Sequence, residues 1–290
     1  MKTSLPAPLT AHLARNIGRM RRRYRKRLAR CQQDFSETAV HDLRVETRRG
    51  LALLDLVAKL GGHGGLKKMR RAFKQRLDAF GELRDTQVQL GLLTPLWRAF
   101  PEVAELKKIL RKSERELIAR LRGKIKKLRF AGMNRRLKQL EREFAATAIT
   151  RQTQRDPIFA ALQAAFAEVV KRRGRIRRDK TETIHRLRIA FKRFRYLSEL
   201  LQPLPTRLTA ARLAEMRKFQ AAAGDIQDLE VLLARLKKIA RAKTMRPNQL
   251  ANLRAELLRR RRGAVNSFLA DVDVLFEFAP ERAGTAPTDI

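Results

Sequence analysis

The amino-acid sequence predicts an all-α protein in which two pseudo-symmetric helical bundle halves surround a central basic channel. Three observations lead to this fold class. Apolar residues recur every three or four positions over long stretches, such as 103–130 and 252–278, as they do on one face of a helix. Alternating runs rich in Val, Ile, Thr and Tyr, which would indicate strands, are nearly absent. The third observation is a pair of motifs that the chain carries twice.

The first motif is a histidine followed by several basic residues. Residues 41–49 read H-D-L-R-V-E-T-R-R and residues 185–193 read H-R-L-R-I-A-F-K-R, so both fit H-x-L-R-[V/I]-x-x-[R/K]-R. A second segment, G-E-L-R-D-T-Q-V at 81–88, returns as G-D-I-Q-D-L-E-V at 224–231. The displacements are 144 and 143 positions. Because they are nearly equal, we expect a single domain over residues 1–290, with repeat halves at about 8–148 and 155–280.

Segments rich in glycine and proline divide the periodic stretches into helices. These breaks lie at residues 61–65, 94–95, 156–157, 203–205 and 246–247. Their positions predict five helices in each half, with a seam near residues 149–157. At the seam, Asp156 is expected to cap a helix whose first residue is Pro157.

The predicted first and third helices each carry a row of cations on one face. The rows are Arg15, Arg19, Arg22 and Lys26 on the first helix and Lys67, Arg70, Arg71 and Lys74 on the third. The third helix of the second half has a leaner row, whose alanines would leave room for a groove. That row consists of Arg207, Ala211, Ala214 and Lys218, with Arg217 beside it. A single row of this kind is typical of a solvated helix face.

The second helix of each half carries the histidine motif and places its cations in one stripe. At 100° per residue, His41, Arg44 and Arg48 fall within about 60° of one another. The equivalent stripe of the second copy spans about 100°. Its members are His185, Arg188, Lys192, Arg195 and Tyr196. Each stripe ends on the same face in an acid fourteen residues after its histidine, Asp55 or Glu199, whereas Arg49 and Arg193 lie at the stripe's edge.

The face opposite each stripe is apolar and is predicted to be buried. Its residues include Leu43, Leu54, Val57, Leu187, Phe194 and Leu201. Basic rows on several helices, two of them related by the repeat, therefore favour a shared basic channel over independent solvated faces.

The charge balance indicates a polyanionic partner. Lys and Arg number 67 against 29 Asp and Glu, a formal net charge of +38, while 44% hydrophobic residues suffice for a core. A polyanion would relieve the self-repulsion of so much like charge. The candidates are nucleic acid, an acidic membrane surface and inorganic phosphate polymer. Cys31 is the single cysteine, and neither a signal peptide nor a membrane-spanning apolar run is present, so we expect a cytoplasmic protein that does not cross a membrane.

No residue pattern indicates catalysis, a metal or a cofactor. The chain lacks an H-E-x-x-H motif, a cysteine pair, a Gly-rich phosphate loop and clustered carboxylates. The His41-Asp42 pair resembles a metal ligand pair, but the repeat places Arg186 at the position of Asp42. We therefore expect the motif histidines to donate hydrogen bonds to phosphate. Asp85 and Asp228 match across the repeat and are expected to cap a backbone end or to pair with a nearby arginine.

The aromatic residues distinguish between the polyanions. Readers of single-stranded nucleic acid stack bases on exposed aromatic side chains. Aromatic residues make up only 6% of this chain, and most are phenylalanines at apolar helical positions. Examples are Phe73, Phe80, Phe191 and Phe194. Packing in the core is the better explanation for them, which favours a polyanion without bases.

The doubled histidine motif, with G-x-L-R-D-x-x-V and G-x-I-Q-D-x-x-V some forty residues later, resembles the CHAD domain family. The resemblance covers nearly the whole chain and implies an all-helical, non-enzymatic module that binds inorganic polyphosphate. It also allows an association with polyphosphate granules. The anion contacts that it implies are His41, Arg44, Arg48, Arg49, His185, Arg188, Lys192 and Arg193.

The helix rows described above extend the expected site beyond the motifs. They add Arg195, Tyr196, Arg15, Arg19, Arg22, Lys26, Lys67, Arg70, Arg71, Lys74, Arg217 and Lys218. The alternatives are a nucleic-acid-binding protein and a metal-dependent phosphohydrolase. The sequence leaves the oligomeric state open.

Overall fold

A computed structural model describes residues 9–60, 65–127, 130–146, 151–201 and 209–280. These residues form ten α-helices, three short 3₁₀ helices and no strand beyond one isolated bridge between Arg177 and Lys180. The predicted all-α fold class is therefore confirmed. The first five helices are α1 (Leu9–Gln33), α2 (Glu37–Lys59), α3 (Leu66–Ala79), α4 (Gly81–Leu93) and α5 (Glu102–Lys127). The others are α6 (Ala131–Ala146), α7 (Arg151–Arg173), α8 (Thr181–Leu201), α9 (Ala210–Arg241) and α10 (Ala251–Ala270).

The 3₁₀ helices lie at the ends of α-helices. They are Thr94–Leu96, Pro247–Leu250 and Val272–Phe278. The periodic stretch predicted to be helical from residue 252 onwards is therefore divided between α10 and the last 3₁₀ helix. None of the described helices combines the length and the hydropathy that a membrane crossing requires.

The helix boundaries differ from the prediction at the seam. The prediction that Asp156 caps a helix starting at Pro157 is wrong, because α7 already begins at Arg151. A proline inside a helix removes one backbone hydrogen bond and crowds the carbonyl four residues earlier, which is unfavourable but does not by itself fix where the helix begins. In the described ranges, six α-helices precede the seam and four follow it, rather than five and five.

One helix of this difference has a local cause beside the second motif. In the first half the chain breaks at Phe80 (φ −92°, ψ 7°), which separates α3 from α4. In the second half the corresponding segment is the uninterrupted 32-residue helix α9, and Gly224 lies inside it. The pseudo-symmetric arrangement of the two halves stays a prediction.

The apolar faces predicted for the motif helices are buried. Leu43, Leu54, Val57, Leu187, Phe194 and Leu201 are each at most 1% exposed, and Phe73, Phe80 and Phe191 belong to the same core. Two apolar clusters form the interior. The larger draws on all ten helices, whereas the smaller is made by the ends of α4, α5, α9 and α10 with their 3₁₀ segments. Because each cluster contains residues from both sides of the seam, the predicted halves share their cores.

Phe191 joins α8 to its neighbours. Its ring lies 4.5 Å from the ring of Phe219 in α9 and 5.7 Å from that of Phe278, measured between centroids. We expect Phe191→Ala to lower the free energy of unfolding by about 3–5 kcal/mol, because the fully buried ring leaves a cavity between three elements. Chemical denaturation measures this loss.

Phe276→Ala is the matched control, because the same side chain is 46% exposed there. Its effect should stay within about 0.5 kcal/mol. Equal losses for the two variants would contradict the role of Phe191 in joining these elements.

Candidate anion-binding cleft

The polar stripes of α2 and α8 line one cleft of about 940 Å³, which α4 and α9 complete. Eight arginines, one lysine and two histidines line it, together with five acidic side chains. Each histidine motif supplies four of these cations. They are His41, Arg44, Arg48 and Arg49 from α2 and His185, Arg188, Lys192 and Arg193 from α8. The predicted Arg195, Tyr196 and Arg217 line the same cleft.

Arg44 and Arg188, which occupy the same position in the two motifs, are held with part of each guanidinium unsatisfied. One Nη of Arg44 donates to the carbonyl of Leu77 at 2.6 Å. Arg188 lies against Gly224, where an added Cβ would approach its guanidinium to 3.5 Å. The Nε of each arginine is buried and has no hydrogen-bond partner. Buried donors of this kind cost free energy unless a further acceptor satisfies them.

The side chains of Arg48 and Lys192 have no hydrogen bond or ion pair within the described part of the chain. Burial, together with the charges of Arg48, Arg188, Arg44 and Arg195, lowers the pKa of Lys192 to about 6. The amine is therefore largely uncharged at neutral pH. An anion beside it would restore its charge.

The pKa values of both motif histidines are shifted in the same direction. Partial desolvation lowers the pKa of His41 and of His185, and cations nearby, Arg84 in one case and Arg188 in the other, oppose protonation further. The Nδ1 atom of His185 is buried without a hydrogen-bond partner. The histidines are thus neutral at pH 7 and would gain charge beside an anion.

Two repeat-related aspartates also line the cleft. Burial raises the pKa of Asp85 and of Asp228, while Arg44 opposes the shift at Asp85 and Arg188 opposes it at Asp228. The arginine of each half is thus close enough to affect the pKa of the aspartate in the same half, although no direct ion pair joins them in the described structure. Asp85 lies inside α4 and Asp228 inside α9, so neither caps an end of its own helix, and the alternative prediction, a pair with a nearby arginine, is met only through this influence of charge.

The last arginine of each motif crosses to the other motif helix. Arg49 of α2 lies 3.5 Å from the carboxylate of Glu199 in α8, and Arg193 of α8 lies 3.8 Å from that of Asp55 in α2. The sequence predicts Arg49 and Arg193 as anion contacts and does not predict these pairs. The equal spacing of Asp55 and Glu199 from their histidines was the available signal, but it does not reveal a crossed arrangement.

Most of the cations predicted from the helix rows do not line the cleft. These are Arg15, Arg19, Arg22, Lys26, Lys67, Arg70, Arg71, Lys74 and Lys218, and Arg207 lies outside the described residues. Arg70 instead pairs with Asp55 at 2.6 Å, and Lys218 with Glu215 at 2.9 Å. Arg19 lines a second pocket of about 250 Å³.

Sequence reasoning also missed polar residues of the second motif. Arg84 and Gln227 occupy equivalent positions in the two copies, and both line the cleft. Arg84 additionally pairs with Glu37 at 2.8 Å. Each directly precedes the repeated aspartate, Asp85 or Asp228, and this position within a repeated motif was the available signal. Within the described ranges, no group of three or more His, Cys, Asp or Glu side chains is arranged to hold a metal ion.

The fold and the cleft define a class of protein, an all-α protein with a concentrated cationic cleft between repeated helices. A sequence model of the CHAD domain matches residues 11–237, so the chain belongs to the CHAD domain family. This family is linked to polyphosphate binding in general, and its domain is generally a binding domain. No curated protein matches the chain.

Two solved structures are similar in fold. The crystal structure of the CHAD domain from the plant Ricinus communis has a TM-score of 0.69 at 20% identity, covering 95% of this chain and 94% of that one. PptA from Streptomyces chartreusis has a TM-score of 0.63 at 15% identity, covering 93% of this chain and all of that one (100%). The fold is therefore shared over nearly the full length of each chain.

Lys192 should lower the stability of the protein in the absence of an anion. Its folded pKa of about 6 lies far below the ordinary lysine value of about 10.4, so the unfolded chain binds the proton more tightly between these values. The penalty is greatest at low pH and falls as pH rises towards 10. We expect Lys192→Met to raise the thermal unfolding midpoint, by about 3 °C for each kcal/mol recovered, and more at pH 7 than at pH 10.

Lys218→Met is the control, because that side chain is 74% exposed. It should leave the midpoint nearly unchanged. A lower midpoint for Lys192→Met at pH 7 would show that the charged amine stabilises the fold.

Proposed function

We propose that the cleft binds inorganic polyphosphate, without catalysis, through the cations of both histidine motifs. One observation carries this proposal, which is that equivalent cations of the two copies line the same cleft. The family's general link to polyphosphate supports the choice of ligand. The proposed contacts are His41, Arg44, Arg48, Arg84, His185, Arg188 and Lys192.

The chemistry of the lining favours a phosphate chain over a nucleic acid. A base would require an exposed aromatic face, but the aromatic residue of this lining is Tyr196, which is only 4% exposed. The Arg195 guanidinium lies 4.4 Å from the centroid of its ring. The lining therefore offers donors for phosphate oxygens and little stacking surface.

The unsatisfied groups explain how a phosphate chain would be held. Its oxygens would accept hydrogen bonds from the buried Nε atoms of Arg44 and Arg188, from Arg48, and from Nδ1 of His185 once that ring is protonated. Each such bond replaces an unmet donor rather than an existing internal contact. Neutralising several phosphates would also release their counterions, which adds a favourable entropy and a strong dependence on salt.

Removing one unpaired cation from each motif tests the proposal. We expect Arg48→Ala with Arg188→Ala to weaken polyphosphate binding by about 100-fold, because two charge-assisted contacts are lost. The slope of log affinity against log salt should also decrease by about two. Titration with defined polyphosphate across a salt series measures both quantities.

Arg259→Ala with Arg260→Ala removes the same charge from α10, where both side chains pair with Glu256. This control should change the affinity by less than about threefold. A wild-type affinity that does not respond to salt would overturn the proposal. Displacement of polyphosphate by duplex DNA or RNA at equal phosphate concentration would indicate that the cleft is a nucleic-acid-binding site instead. Phosphate release that requires Mg²⁺ or Mn²⁺ would indicate a phosphohydrolase.

Binding should take up protons. Lys192 has a pKa of about 6 in the empty cleft, and the pKa of each motif histidine is also lowered, whereas a bound anion raises all three. Affinity should therefore decrease as pH rises from 6 to 8. Calorimetry in two buffers with different ionisation enthalpies measures the proton uptake, which Lys192→Met should reduce. Proton release on binding would contradict this assignment.

A further inference from the structure

Glu199 occupies a place that would suit a phosphate. Its carboxylate lies 3.5 Å from Arg49 and 3.5 Å from Arg217, and it accepts a short hydrogen bond from Arg195. Three guanidinium groups from α2, α8 and α9 thus surround one carboxylate. The side chain is 13% exposed, and its Oε2 atom is buried without a hydrogen bond. Glu199 is therefore an internal anion in a site formed by Arg49, Arg195 and Arg217, which we call the three-arginine seat.

This seat lies between two cavities. Arg49, Tyr196, Glu199 and Arg217 line both the central cleft and the second pocket of about 250 Å³. That pocket is also lined by two cations of α1, Arg19 and Arg23, which form no ion pair in the described structure, and by Glu46 of α2, which lies 3.4 Å from Arg49. The basic lining consequently continues beyond the cleft, and Glu199 interrupts it.

The repeat-equivalent acid does not separate two basic regions. Asp55 lines the central cleft and a different pocket of about 110 Å³, whose other residues are mainly alanine and leucine, with Lys59 and Arg193 among them. Glu168 adds a negative charge to that pocket. Beyond the residues of the cleft, that pocket adds one cation, Lys59, which Glu168 balances, whereas the pocket past Glu199 adds Arg19 and Arg23 against one acid, Glu46.

We infer that Glu199 is a specificity residue that limits how much of a phosphate chain the protein holds. By filling the seat of Arg49, Arg195 and Arg217, its carboxylate closes the route from the central cleft to the pocket on α1. This inference rests on the proposed function, because it concerns the same ligand. With the carboxylate neutralised, a long chain would extend through the seat to Arg19 and Arg23, but a short chain would gain nothing from that extension.

Two ligand lengths and two matched variants test the inference. Glu199→Gln keeps the shape of the side chain and removes its charge, and Asp55→Asn makes the same change at the equivalent position of the same cleft. For tripolyphosphate, we expect the two variants to bind with equal small gains over the wild type. For long-chain polyphosphate, Glu199→Gln should bind about tenfold more tightly than Asp55→Asn, the equivalent of one additional charge-assisted contact.

A second pair of variants locates the gain. Adding Arg19→Ala and Arg23→Ala to Glu199→Gln should abolish the tenfold gain, whereas the same two changes in the wild type should alter long-chain affinity by less than about threefold. The measurement in the wild-type background still tests the inference if Glu199→Gln folds poorly. A large loss of long-chain affinity on removing Arg19 and Arg23 from the wild type would mean that the route is already open. Equal gains for both acids at both lengths, or a gain that survives loss of Arg19 and Arg23, would overturn the inference. If the wild type binds neither ligand, the proposed function itself fails.

Discussion

The packing of α2 against α8 is the interaction on which the cleft depends. Both helices direct cations towards the same space, so their mutual repulsion must be offset by the apolar faces that Leu43, Leu187 and their neighbours bury. The crossed pairs Arg49–Glu199 and Arg193–Asp55 join the same two helices at the edges of the cationic region. Hydrophobic packing thus brings the charges together, and within each histidine motif the crossed carboxylates neutralise the last arginine.

The charged groups of the cleft lower the stability of the free protein and give it the capacity to bind an anion. Lysine, histidine and arginine groups lie partly desolvated beside one another, and several of their donors are unmet. Arrangements of this kind are unfavourable in the free protein and become favourable when an anion supplies the acceptors. Burial that would be a defect in a structural protein is here a form of preorganisation, because the side chains need not be desolvated again on binding.

Local patterns in the sequence determined the fold class and the centre of the cleft. Helical periodicity predicted the all-α fold, and the histidine motif identified eight cations that line one cavity. The α1 and α3 rows failed because a helix wheel places residues on a face of their own helix, whereas the direction of that face depends on tertiary packing. The crossed arginine pairs and the start of α7 at Arg151 likewise depend on contacts between segments that are distant in sequence.

The two walls of the cleft differ in their backbone. On one side α9 continues without interruption from Ala210 to Arg241 and contributes to both apolar clusters. On the other side the equivalent segment is divided at Phe80 into α3 and α4. Both walls reach both apolar clusters, because α4 also contributes Leu83 to the larger and Leu93 to the smaller, but the divided wall has a break in its helix where the direction of the backbone can change. We therefore expect the divided wall, rather than the continuous one, to move when the cleft binds ligands of different width.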